Sequence, residues 1–243
     1  MIHYGRISGL GIPWQFHFPD TKQYLRKFIT GPEGTGPIAF TGKAVEVSEQ
    51  EYLDWEKAGN TIDPFAEFCL LCEQTSEYML EYDRCIFHAA ALSFGGRSWL
   101  IAAGSGVGKS TICQSLMEKY PDEVTVINGD KPALQFTDDG GILVHPSPWN
   151  GKEGMHGARE AILAGIFLLR RGSENSIITA KESEAAVRVY INIFQSFQDE
   201  KVMKEAGVMA DHMIRSAPVW LLTSKDVSET THLVYRTMKE ALS

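Results

Sequence analysis

Glycine, lysine and hydroxyl residues stand close together between residues 103 and 111, in the order Ala-Gly-Ser-Gly-Val-Gly-Lys-Ser-Thr. Glycines at alternate positions let the backbone curl so that consecutive N–H groups point inward and can surround an anion. A lysine at the end of such a loop reaches phosphate oxygens, and the hydroxyl after it can bind Mg²⁺. The spacing therefore predicts a P-loop in which Ala103 replaces the first glycine. The predicted nucleotide-binding residues are Gly104, Ser105, Gly106, Val107, Gly108, Lys109, Ser110 and Thr111.

Two further side chains could act on the same phosphates. Asp130 follows the apolar segment Val124–Asn128, and a carboxylate at the end of a buried strand beside a P-loop often binds Mg²⁺ or acts as a base. A plain Asn-Gly turn with a solvated Asp130 is the alternative. The apolar segments 85–94 and 97–103 are joined by Gly-Gly, which predicts a hairpin with His88 opposite Ala103. There His88 could contact Asp130 or a phosphate, or belong to the core.

The predicted elements around these residues indicate an α/β fold with a mixed sheet. A strand over 99–103 enters the loop and a helix over 109–120 leaves it. Further strands are predicted at 124–128, 161–169 and 219–222, and helices at 183–197, 200–212 and 228–242. Hairpins, including one around Asp138-Asp-Gly-Gly, interrupt the alternation of strands and helices, which excludes a purely parallel sheet. Strand-like stretches at 3–18 and 38–47 predict a small β-rich lobe over 1–60, before a nucleotide-binding domain over 61–243.

Composition excludes several classes of protein. The 243 residues are 44% hydrophobic and 22% charged, with a net charge of −8. An acidic surface repels phosphate backbones and anionic lipids, so neither nucleic acid nor a membrane is a predicted partner. The longest apolar run, 161–169, is far shorter than the ~20 residues that span a bilayer. The N-terminus has no signal-peptide pattern, so a cytoplasmic location is predicted, and a homo-oligomer remains compatible.

Cysteine and histidine residues do not form a recognisable metal pattern. The four cysteines, Cys69, Cys72, Cys85 and Cys113, are too few for a disulfide framework and fit a reducing compartment. The lone CxxC lies on the apolar stripe of a helix predicted over 64–82, which favours core packing. His145 and His156 flank a Gly/Pro-rich loop without a third ligand. We expect that loop to cover the phosphates or the phosphate acceptor.

Together, these motifs resemble the C-terminal catalytic domain of HPr kinase/phosphorylase, in the phosphoenolpyruvate-carboxykinase-like class of P-loop proteins. The resemblance covers about residues 85–222 and rests on His88 before the hairpin, the P-loop, Gly129-Asp130 and Ser147-Pro-Trp-Asn-Gly151. The last segment, with 161–170, is more similar still to HPr-kinase-related proteins that resemble serine kinases acting on peptides or free serine.

The resemblance implies a kinase that uses ATP and Mg²⁺ and transfers the γ-phosphoryl group to a serine-like hydroxyl of a peptide, protein or small molecule. It implies catalytic roles for His88, Lys109 and Asp130, with Ser110 and Asp130 binding Mg²⁺. The family carries two adjacent aspartates where this chain has Gly129-Asp130. An ATP-binding sensing module with little or no phosphoryl transfer is therefore the alternative, in which Gly129→Asp is expected to raise transfer.

Overall fold

A computed structural model describes residues 1–30, 44–157, 159–195 and 199–243. Most of the strand predicted at 38–47 lies outside these residues. The strands are β1 (Ile2–Ile7), β2 (Leu10–Gln15), β3 (Arg84–Ile86), β4 (Ala89–Phe94), β5 (Arg97–Ala102), β6 (Val124–Asn128), β7 (Ala133–Phe136), β8 (Ile142–His145), β9 (Ala161–Arg171), β10 (Ser176–Thr179) and β11 (Val219–Ser224). The α-helices are α1 (Lys22–Leu25), α2 (Glu49–Lys57), α3 (Pro64–Leu80), α4 (Lys109–Lys119), α5 (Glu182–Tyr190), α6 (Glu200–Ser216) and α7 (Val227–Ala241).

Nine of the strands in the described residues form one mixed sheet, which confirms the predicted α/β class. The order is β3-β7-β8-β9-β5-β4-β6, and β11 pairs with β9 and β10. β9 runs parallel to both β5 and β11, whereas β4 and β5 form the predicted antiparallel hairpin. The carboxyl ends of β5, β9 and β11 therefore meet at one edge of the sheet, and the glycine loop (residues 103–108) begins there.

Helices cover both faces of this sheet. Alternate residues of β4 point to opposite faces, as strand geometry requires: Ala89 and Ala91 belong to one hydrophobic cluster and Ala90 and Leu92 to another. The first cluster includes apolar residues of α5 and α6, and the second includes those of α4 and α7. The sheet therefore forms the middle layer of three.

A third hydrophobic cluster joins the N-terminal hairpin to α3. It contains Trp14 of β2, Leu71 of α3 and Trp149. The indole N–H of Trp14 donates to the Thr75 hydroxyl over 2.9 Å. Buried Cys72 lies in the same cluster, in agreement with core packing of the CxxC segment. The boundary between a lobe over 1–60 and a domain over 61–243 stays a prediction.

Two elements near the predicted site differ from expectation. The strand predicted over 85–94 is divided into β3 and β4, because the chain changes partner between them. The amide of Phe87 donates to the carbonyl of Pro132, and that of His88 donates to the carbonyl of Asn192. The helix predicted over 183–197 ends at Tyr190, since the residues that follow leave the helix to pair with this segment; Phe194 donates to Ile86. The last two residues of that predicted helix, 196 and 197, lie outside the described chain.

Among the described residues, none of the helices combines the length and the apolar character needed to cross a membrane.

Candidate functional site

The glycine loop connects β5 to α4 with an open backbone. Gly106 and Gly108 have φ of +74° and +114°, a left-handed conformation that side chains disfavour. Gly108 is the N-cap of α4, so the helix has no side-chain cap, and its first turn carries no acidic residue. The N–H groups of that turn and the positive end of the helix dipole are therefore available to an anion.

Asp130 lies at the centre of a charged cluster at the start of α4. Its Oδ1 is 2.7 Å from Nζ of Lys109 and 3.4 Å from Nε2 of His88, and its Oδ2 is 2.7 Å from Nζ of Lys131. The cluster is largely buried, with 8% of the Lys109 side chain and 19% of the Asp130 side chain exposed. The structure thus brings together the three residues predicted to be catalytic, and it adds Lys131.

A turn held by side-chain hydrogen bonds positions Asp130. The side-chain oxygen of Asn128 accepts hydrogen bonds from the amides of Asp130 and Lys131, over 2.9 and 2.8 Å. Its side-chain nitrogen donates to the carbonyl of Ser147 over 3.1 Å, and the Ser147 hydroxyl donates to the carbonyl of Lys131. Asn128 is fully buried, so the turn is held both by this buried side chain and by Ser147.

Burial and charge act in opposite directions on the ionisation of the cluster. Burial alone would raise the pKa of Asp130, but the hydrogen bond from His88 and the charges of Lys109 and Lys131 outweigh it. The net effect holds the pKa of Asp130 well below its usual range, so the side chain is a carboxylate at neutral pH. Burial lowers the pKa of Lys109, and Asp130 opposes that shift.

The segment 146–157, here called the strap, crosses the carboxyl end of β6. The Gly129 amide donates to the carbonyl of Met155 over 2.8 Å, and the Gly157 amide donates to Ile127 over 3.0 Å. A Cβ added to Gly129 would lie 2.8 Å from the carbonyl oxygen of Asn150 and 2.9 Å from Cβ of Met155. Position 129 therefore has no room for an aspartate in this conformation. An aspartate at this position would first displace the strap, and the expectation that Gly129→Asp raises phosphoryl transfer stays a prediction.

Arg171, at the end of β9, contacts the glycine loop from the neighbouring strand. Its guanidinium donates to the carbonyls of Gly106 and Val107, over 3.1 and 3.2 Å. Sequence reasoning missed this residue. The available signal was a pair of arginines at the end of a strand predicted to be buried, because the ends of neighbouring parallel strands meet at one edge of a sheet.

The residues predicted to bind Mg²⁺ are only partly assembled. Ser110 is half-buried and Thr111 exposed in the first turn of α4, while both oxygens of Asp130 contact lysines. No cluster of three or more His, Cys, Asp or Glu side chains suited to a metal occurs in the described parts of the chain. One carboxylate and one hydroxyl fit Mg²⁺ when phosphate oxygens and water complete its coordination.

His145, just before the strap, and His156, within it, lie in separate environments. Nε2 of His145 is 3.1 Å from the side-chain oxygen of Gln135, and burial lowers the pKa of His145 to about 4. His156 instead contacts Lys27, with 3.2 Å between Nε2 and Nζ.

Comparison with known proteins gives a distant likeness in structure alone. No family model matches the chain, and no curated protein matches it significantly. Among solved structures, the chain is similar to the HPr(Ser) kinase/phosphatase from Coxiella burnetii, with a TM-score of 0.40 and 12% sequence identity. The match covers 65% of this chain and 97% of that one. A likeness this distant does not identify the reaction.

Proposed function

We propose that this protein is an ATP- and Mg²⁺-dependent kinase that transfers the γ-phosphoryl group to a serine-like hydroxyl of a peptide, protein or small molecule. One observation carries the proposal. Asp130 is paired with Lys109 and Lys131 beside His88, at the uncapped start of α4, where the loop amides are open to an anion. Phosphoryl transfer depends mainly on such positioned charges.

Each residue of the cluster has a defined task in this proposal. Lys109 gives up its ion pair with Asp130 and binds phosphate oxygens, together with the N–H groups of the glycine loop. Asp130 and Ser110 would hold Mg²⁺, which would supply positive charge to the phosphates. His88 orients Asp130 or the phosphate. The low pKa of Asp130 suits a metal ligand better than a general base, since a weakly basic carboxylate accepts a proton poorly.

Transfer of label from γ-labelled ATP tests this function. Free serine and serine-bearing peptides are offered as acceptors to the wild type, to Lys109→Ala and to the control Lys119→Ala. Lys119 lies on the same helix, and its ammonium contacts Ser228. We expect Lys109→Ala to lower transfer by a factor of about 10² or more, as for other groups that stabilise developing charge. Transfer retained by Lys109→Ala, or lost equally in Lys119→Ala, would refute the proposal.

The alternative, an ATP-binding sensing module, is supported by the strap. The position where the resemblance calls for a first aspartate is Gly129, and the strap leaves no space for a side chain there. ATP binding that Lys109→Ala abolishes, combined with no label on any acceptor, would favour this function. Gly129→Asp does not separate the two functions, because it would report the displaced strap rather than catalysis.

A further inference from the structure

A cavity of about 430 Å³ lies between the N-terminal part of the chain and the strap. Residues of α1 and the turn after it form one wall, Phe65 and Phe68 of α3 form the second, and the strap forms the third. Its volume falls within the range of about 300–1,000 Å³ that is typical of small-ligand sites.

The cavity is lined by basic groups. Arg26, Lys27 and His156 all contribute, and no Asp or Glu of the described chain lines it, although the protein carries a net charge of −8. Since the Lys27 ammonium can only donate, Nε2 of His156 accepts its hydrogen bond over 3.2 Å and Nδ1 carries the proton. That Nδ1 is buried and has no hydrogen-bond partner in the described chain. An anion would balance the positive charges.

Aromatic rings form the other part of the lining. The ring of Tyr24 stacks on Phe68 at 5.1 Å and contacts Phe65 at 5.6 Å between centroids. Large apolar side chains are usually buried, yet Phe65 is 50% exposed and Tyr24 38% exposed. An exposed aromatic cluster beside basic groups suits a ligand that has both an apolar group and a negative charge.

The strap forms a common wall between this cavity and Asp130. Gly151 lines the cavity, and a Cβ added to it would lie 3.2 Å from Cβ of Asp130. His156 also lines the cavity, and its backbone pairs with Asn128, whose side chain holds the Asp130 turn. A ligand in the cavity is therefore separated from the carboxylate by a single layer of backbone.

We propose that this cavity binds the residues next to the reacting serine of the phosphate acceptor, that the acceptor is a peptide with an acidic side chain and an aromatic side chain beside that serine, and that the serine itself extends past the strap to the charged cluster. Arg26 and Lys27 pair with the carboxylate, and the rings of Tyr24, Phe65 and Phe68 contact the aromatic group. The assignment as an acceptor site rests on the proposed kinase function, whereas the binding preference does not.

Calorimetric titration of nucleotide-free protein tests the binding preference. The probes are acetyl-Glu-Phe-Ser-Gly-amide, its neutral Gln analogue and its basic Lys analogue. We expect the Glu peptide to bind wild type at least tenfold more tightly than the Gln peptide, a difference of about 1.4 kcal/mol. Arg26→Glu should abolish this preference and favour the Lys peptide. Lys22→Glu makes the same charge change on α1 outside the cavity lining and should retain the wild-type preference.

Three results would overturn the assignment: equal binding of the Glu and Gln peptides to wild type, equal losses in Arg26→Glu and Lys22→Glu, or displacement of the Glu peptide by an equal concentration of inorganic phosphate. The last result would indicate a phosphate site instead. Because no nucleotide is present, failure here leaves the label-transfer experiment unaffected. Conversely, charge-selective binding without label transfer would retain the peptide site and refute the kinase.

Discussion

The charge of Asp130 should control both the stability of the nucleotide-free protein and its response to magnesium. Asp130→Asn keeps the size and removes the charge, so that Lys109, Lys131 and His88 surround a neutral amide. Lys109 is the more buried of the two lysines and would lose the anion that compensates its burial. The substitution should therefore destabilise the apo protein while removing the competitor of phosphate for Lys109.

The distances set the size of this effect. At an effective dielectric constant of about 20, opposite charges 2.7 Å apart attract each other by about 6 kcal/mol before the cost of desolvation. Removal of one partner of a buried pair usually costs about 3–5 kcal/mol. Lys131 is 24% exposed and can turn towards water, so we expect a loss of about 3 kcal/mol at pH 7. In a chain of this size that loss lowers Tm by about 6–12 °C.

Thermal unfolding and ATP titration, each with Mg²⁺ or with EDTA, measure both consequences. In EDTA, ATP should bind Asp130→Asn at least tenfold more tightly than wild type, because no carboxylate competes for Lys109 or repels the phosphates. Added Mg²⁺ should tighten ATP binding to wild type and leave the variant nearly unchanged. Asp138→Asn, at an exposed turn residue, is the matched control and should behave as wild type.

The contribution of Asp130 to the free energy of unfolding depends on pH with a definite sign. The pKa of Asp130 is lowered in the folded state, so its stabilising contribution is present above the unfolded value of about 3.9 and is lost as pH falls through the folded value. The stability difference between wild type and Asp130→Asn should therefore shrink below about pH 4. An apo variant as stable as wild type at pH 7, or an equal effect of Mg²⁺ on both proteins, would refute this reasoning.

Two other residues give independent predictions. Burial lowers the pKa of His145 to about 4 in the folded protein, so the unfolded chain binds the proton first and stability falls as pH drops from about 6.5 to 4, by up to about 3 kcal/mol. Urea unfolding should show that His145→Gln removes this loss of stability at low pH. If His17→Gln, at an exposed position, also removed it, the loss would not come from His145. Arg171→Ala should weaken ATP binding about fivefold by loosening the glycine loop, with the free energy of unfolding nearly unchanged. Arg170→Ala loses a hydrogen bond to Thr223 instead and should leave ATP affinity unchanged. An equal loss of affinity in both variants would refute the role of Arg171.

Sequence predicted the parts of the site that short-range chemistry determines. Gly95 and Gly96 have φ of +59° and +70°, as a two-residue hairpin turn requires. That turn fixes the register in which Ala89 faces Ala102, and His88 consequently lies just before the first residue of β4. The glycines before Lys109 predicted the loop conformation in the same way.

The other parts of the site depend on contacts between distant segments, which no local pattern encodes. Lys27 meets His156 across 129 residues of sequence, and Arg171 meets Val107 across 64. The end of α5 at Tyr190 was missed for the same reason, since its propensity for helix continues while the next residues pair with Ile86 and His88. Tertiary pairing overrides propensity at such positions.

The strap limits how this protein could evolve a new acceptor. A Cβ on Gly157 would lie 2.1 Å from the carbonyl oxygen of Val126, and a Cβ on Gly129 would lie 2.8 Å from that of Asn150. Substitution of either glycine would therefore move the Asp130 turn along with the cavity wall. Asn150 and His156 already carry side chains that line the cavity, so exchanging these side chains would not place a new Cβ against the backbone. With the cavity as the acceptor site, selection could therefore change the recognised peptide through these side chains and leave the charged cluster intact.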